Sequence, residues 1–153
     1  MGTGERILEK GKVPQGGARG GDGTRAAEGA IPFGCAVELG TTKAEQVKKF
    51  AGGTPWGIAI YDPSKGYDVD SSGNTTITRQ YLDTDPVSVL THGNIVVEVE
   101  EAVDVGDPVY VDDTTANFHK SAGAGKTLLP NARFETAAAA DGDLAEVRIN
   151  LPG

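Results

Sequence analysis

Ile95-Val96-Val97-Glu98-Val99, followed after a short gap by Val105-Gly106-Asp107-Pro108-Val109-Tyr110-Val111, sets the pattern for the rest of the chain. In the first run Ile95, Val97 and Val99 share one side, and Glu98 and Glu100 take the other. A period of two marks a strand with one buried face. Gly106-Asp107-Pro108 supplies a permissive glycine, a local acceptor and a fixed φ, which is turn chemistry. Val109-Tyr110-Val111 then returns to β-branched and aromatic residues. The most regular strand is the last, where Ala145, Val147, Ile149 and Leu151 alternate with Glu146, Arg148 and Asn150. The alternation predicts Val97, Val99, Val109, Val111, Val147 and Ile149 inside, with Glu98, Glu146 and Arg148 exposed or at interfaces.

Working back from this stretch, Ile31 to Leu39 is strand-like, with Phe33, Cys35, Val37 and Leu39 on one face. Thr42-Lys43-Ala44-Glu45 has the form of a capping box, so residues 42–51 fit a short helix or a loop with a short strand. Pro55 to Tyr61 is another strand, with Trp56, Ile58 and Ile60 aligned. Thr75 to Tyr81 fits a ribbon, and His92-Gly93-Asn94 a tight turn before Ile95. Beyond Val111 a small, polar connection runs to Pro130, and Arg133-Phe134-Glu135 begins a further strand. Asp141-Gly142-Asp143 is a hairpin turn into the final one. The total is about seven to nine short strands separated by Gly, Pro, Asp and Asn, which predicts an all-β jelly roll, barrel or sandwich.

The 153 residues suffice for one domain with one core. Twenty-two glycines and a hydrophobic share of 38% suit a β domain with long loops or an attached arm. Nine glycines fall in the first thirty residues, so residues 1–29 read as an extended glycine-rich arm and residues 30–153 as the β domain. The arm carries aliphatic and basic anchors, Arg6, Ile7, Leu8, Lys10, Lys12 and Val13. These predict a segment that orders on a partner, with its cations facing acidic groups of that partner or of a neighbouring subunit. The formal charge of −8 is concentrated in the body, which argues against direct nucleic-acid binding. No apolar run reaches transmembrane length and no signal-peptide h-region follows Met1, so no membrane association is expected.

The motifs for chemistry are incomplete. Gly123-Ala124-Gly125-Lys126-Thr127 resembles the end of a P-loop, but the required first glycine is replaced by Lys120. Asp68-Val69-Asp70-Ser71-Ser72-Gly73-Asn74 resembles half a calcium loop, but its twelfth position is Arg79 instead of Glu. His92 and His119 lack Cys or carboxylate partners at ligand spacing, so no metal site or cofactor is expected. Cys35 reads as a small core residue, and no nucleophile elbow surrounds Ser88 or Ser121. The protein is therefore not expected to be an enzyme.

Val89 to Val97, then Val105 to Val111, then Ala132 to Ala137 and Leu144 to Leu151 together resemble the capsid cement, or head decoration, proteins of tailed bacteriophages. The resemblance spans roughly residues 30–153 and leaves the arm outside it. It implies a jelly-roll or β-barrel subunit on the outer surface of the virion's capsid shell, made in the host cytoplasm. Its implied partners are the major capsid protein and further copies of itself, as dimer or trimer, and its role is to reinforce the head against genome pressure. No catalytic residues are implied. The alternative is a carbohydrate- or ligand-binding β module of a virion accessory protein, which would need exposed aromatic platforms.

Overall fold

The computed structural model describes residues 9–14, 20–21 and 24–151. Among these there is no helix. Fifteen strands follow in order: β1 (Gly20–Gly21), β2 (Arg25–Ala27), β3 (Ile31–Pro32), β4 (Ala36–Leu39), β5 (Gln46–Lys49), β6 (Gly57–Ala59), β7 (Tyr67–Val69), β8 (Thr75–Ile77), β9 (Gln80–Tyr81), β10 (Pro86–Val87), β11 (Val89–Glu98), β12 (Pro108–Asp112), β13 (Phe118–His119), β14 (Lys126–Phe134) and β15 (Leu144–Asn150). The fold is all-β, as expected, but fifteen strands replace the expected seven to nine. Bends and bulges cut apolar runs into pieces of two to four residues.

One sheet of eleven strands dominates, in the order β10-β2-β5-β4-β6-β11-β15-β14-β12-β13, with β1 added to β11. β3-β9 and β7-β8 form two further small sheets. The long strand β11 belongs to two curled halves. On one side the path β11-β15-β14-β12-β13 comes back to its start, because Phe118 bridges Val99 just past β11, and Glu100 N–H donates to Phe118 O at 2.9 Å. On the other side the path β11-β6-β4-β5-β2-β10 also returns, since only Ser88 separates β10 from β11.

There are two cores. The first joins Val97, Val99, Val109, Val111, Phe118, Leu129, Phe134, Ala145, Val147 and Ile149 to Cys35, Ala36, Phe50 and Ile58 on the side of β4 and β6, and the second holds Ala27, Ile31, Phe33, Val37, Val47, Ala59, Tyr81, Val87 and Val89. Gly57 stands where β6 crosses β11. A Cβ there would lie 2.5 Å from Leu90 O, which no backbone could yield to. All six residues predicted to be inside are buried.

Several expectations are corrected. His92-Gly93-Asn94 is no turn. It runs straight through β11, paired with Asn150, Ile149 and Arg148, and only Gly93 departs from ordinary strand geometry, at φ +124°. Residues 42–51 take the second of their two expected forms, a loop with a short strand: Glu45 and Gln46 N–H both donate to Thr42 O at 2.9 Å, and β5 follows. The connection expected to run to Pro130 contains β13, and its last residues are the first half of β14. Pro130 lacks a donor and Asn131 adopts φ +58°, beside the register shift opposite Pro108–Tyr110, so this pair fits a bulge. Glu146 is 4% exposed instead of solvated. It lies opposite Val96, itself buried, and its N–H donates to Thr136 Oγ1 at 2.9 Å. The curled sheet has no open second face there. Finally, β2 lies within the main sheet and Ala27 within a core, so sheet pairing begins before residue 30.

Candidate functional site

Of the predicted arm anchors, Arg6, Ile7 and Leu8 lie outside the described residues. Lys10, Lys12 and Val13 lie on the chain's own body. Gly11 N–H donates to Val96 O at 2.7 Å, Val96 N–H to Lys12 O at 2.9 Å, and Tyr61 N–H to Gly11 O at 2.8 Å. These bonds fix residues 11–12 beside β11. Lys10 Nζ reaches Glu98 at 3.7 Å, Lys12 Nζ reaches Glu9 at 3.1 Å and stands 5.0 Å from the centre of the Tyr61 ring, and Val13 packs against the first core. The described half of the anchor set is thus satisfied within the subunit. Gly11 is needed for this close approach: its φ is +87°, and a Cβ would lie 2.9 Å from Gly34 N. Beside the segment is a cleft of about 470 Å³ lined by Glu9, Lys10, Phe33, Tyr61, Thr78 and Arg79.

The most open apolar feature is the hairpin β7-β8. Tyr67 pairs with Ile77 and Val69 with Thr75, so the four share one face. Tyr67 is 51%, Val69 61% and Ile77 63% exposed. The turn between the strands is built by Asp70, whose Oδ1 accepts the N–H groups of Ser72 and Asn74 at 2.9 Å each, with Gly73 at φ +85°. These backbone bonds hold the Asp70 carboxyl below its ordinary pKa. The stretch that resembles half a calcium loop is therefore the tip of this hairpin, and its central carboxylate oxygen is committed to the turn. The ribbon expected over 75–81 begins with β8, and its partner strand Tyr67–Val69 lies in a stretch rich in polar turn formers.

A second cluster centres on His119, for which no metal site was expected. His119 on β13 is 8% exposed. Its Nε2 lies 2.8 Å from Glu100 Oε1 and 3.5 Å from Asp112 Oδ2, and its Nδ1 lies 3.3 Å from Glu101 Oε2. Burial by itself raises the pKa of Glu101. The Ser121 N–H and hydroxyl, the Lys120 N–H and the His119 charge outweigh it and hold the group below its ordinary value. Asp112 behaves likewise: burial pushes it up, while the Thr115 and Thr114 N–H groups and His119 bring it below. The separation of 19 residues between Glu100 and His119 is not a ligand spacing in any local motif. The only sequence signal is the Phe118-His119 pair, whose β pairing against Tyr110 and Val111 would place His119 near Asp112.

Gly123 to Thr127 is a turn leading into β14, and Asp113 N–H donates to Gly125 O at 2.8 Å, so no phosphate-binding helix follows. Cys35 is buried, which raises its thiol pKa against the pull of Lys10. Trp56 is half-buried with the Arg25 guanidinium 5.3 Å from its ring centre. Among the described residues no helix is long and apolar enough to cross a membrane.

The comparisons agree with this picture of a structural β protein. A chain in the solved capsid of Myoviridae phage XM1 shares the fold, with a TM-score of 0.69 and 20% identity, over 94% of this chain and 91% of that one. No curated protein matches the sequence. Residues 7–150 match the family described as structural cement protein (E217 gp24/Pam3 gp6). The match spans almost the whole chain, and the protein therefore belongs to the structural cement protein family, the structural class of phage capsid proteins that its strand pattern resembles.

Proposed function

We propose that this subunit binds the outer surface of the capsid shell and cements neighbouring major capsid proteins, stabilising the head against the pressure of its genome. Family membership supplies the setting, and the exposed apolar face of β7-β8 is the observation that carries the reading. A two-stranded ribbon is marginal in water, and three large apolar side chains on its open face favour a partner surface. Many copies with modest contacts each would bind the shell through avidity. The arm belongs to the same proposal. Residues 11–12 are tied to β11, and contact of Arg6, Ile7 and Leu8 with a shell protein or a neighbouring copy would add a second attachment. Self-association as dimer or trimer is part of this reading.

The test uses shells lacking the protein, to which purified full-length subunit is added. The variant Tyr67→Ser with Val69→Ser and Ile77→Ser is expected to keep the wild-type melting temperature and to lose tenfold or more in shell affinity. Deletion of residues 1–8 is expected to weaken binding less. Unchanged affinity for both variants would place the shell contact elsewhere and refute this reading. The carbohydrate-binding alternative has less support, because of Trp56 and the four tyrosines only Tyr67 is exposed.

A further inference from the structure

We propose that Glu100, Asp112 and His119 form a structural site for a first-row divalent cation, best matched by Zn2+, which fastens the seam where the end of β11 meets β12 and β13. One ligand atom from each of the three lies within 4.8 Å of the other two. A tetrahedral ion with bonds of about 2.0–2.2 Å places its donors roughly 3.3–3.5 Å apart, so the His119–Asp112 distance of 3.5 Å already suits it. The 2.8 Å contact with Glu100 would open by about half an ångström. A mixed set of one imidazole and two carboxylates suits Zn2+ or Mn2+ better than Ca2+ or Mg2+, which take oxygen ligands.

Two observations separate this from a simple ion pair. His119 Nδ1 is buried and makes no hydrogen bond. An imidazolium must place two N–H groups, and here only Nε2 has an acceptor in good geometry. Nε2 also lies between two carboxylate oxygens, of which one proton can serve one. The charge is unbalanced as well, because Glu100, Glu101 and Asp112 surround a single histidine. A cation at Nε2 resolves both. It displaces the Nε2 proton to solvent, the neutral ring keeps its proton on Nδ1, and that N–H turns toward Glu101, 3.3 Å away. Glu101 is itself held by Lys120 and Ser121 N–H at 3.0 Å each, which is the support expected of a carboxylate that orients a metal-bound histidine. Asp112 is likewise prepared. Its Oδ1 accepts Thr114 and Thr115 N–H, leaving Oδ2 for the ion.

The chain has two histidines, and His92 is exposed on β11, so it serves as an internal reference. The full-length protein, stripped with a chelator, is titrated with Zn2+ while the side-chain 15N resonances of both histidines and the heat of binding are followed. Binding of one equivalent is expected, with a large shift at His119 Nε2, little change at His92, and a higher melting temperature. His119→Asn and Asp112→Asn are expected to remove the site. Glu101→Gln is expected to cost about 10–100-fold in affinity, as for other groups that orient a ligand. Asp141→Asn, in an exposed turn, is the control. Absence of a His119 shift in excess Zn2+, binding that follows His92 instead, wild-type affinity in the ligand variants, or a response to Ca2+ or Mg2+ alone would each overturn the proposal. The wild-type spectrum decides even if a variant fails to fold.

Discussion

Val147 is fully buried on β15, paired with Ile95 of β11 and Phe134 of β14. Replacing it by alanine removes two methyl groups from a packed core, and the expected loss is roughly 1–3 kcal/mol in chemical denaturation. A loss near zero would mean that the core relaxes into the space. Cys35 offers a second check. It is 1% exposed, its Sγ lies 3.8 Å from Thr115 O, and burial raises its thiol pKa. A thiol reagent is expected to leave it unmodified in the native protein and to label it only as the protein unfolds; rapid native labelling would show that β4 opens. Such inward residues were legible because alternation along β12 and β15 is strict. Glu146 was not, because alternation assigns a face and cannot say that Thr136 and its neighbours cover the other side.

At the level of elements, the reading succeeded where turn chemistry was local. The turn expected at Gly106-Asp107-Pro108 sits slightly earlier, at Asp104 to Asp107, with Gly106 at φ +88° and Asp104 N–H donating to Asp107 Oδ2 at 2.8 Å, and Pro108 opens β12. It failed at His92-Gly93-Asn94, where pairing with β15 on a distant part of the chain overrides the local preference. The seam of β11, β12 and β13 was hidden for the same reason, since Glu100, Asp112 and His119 meet only after the sheet curls. This seam predicts an acid limit in metal-free protein. Glu101 and Asp112 have pKa values lowered in the folded state, so their contribution is full above the ordinary carboxylate range and is lost as pH falls through their lowered values. Melting temperature should therefore fall below about pH 4, and the fall should be smaller in Glu101→Gln, which no longer titrates. An equal acid slope in that variant would assign the loss to other carboxylates.

Across the whole molecule, two curled half-sheets share β11, and the larger of the two cores reaches into both. An all-β chain was readable from strand spacing, but the doubling was not, because nothing local marks Ser88 as the point where one strand passes from one half to the other. The β7-β8 ribbon forms a small sheet of its own outside both cores, with its apolar face open. The N-terminal segment returns to β11 at Gly11 and Lys12, which ties the start of the chain to the strand that both halves share. Cementing by such a subunit depends on where it sits. The most direct measurement is an electron cryo-microscopy reconstruction of the intact particle. The expected result is this chain on the outer surface of the shell, across junctions between capsid subunits, with Tyr67, Val69 and Ile77 buried against them. Density for the chain inside the shell or confined to the tail, or on the shell with the ribbon pointing into solvent, would contradict it.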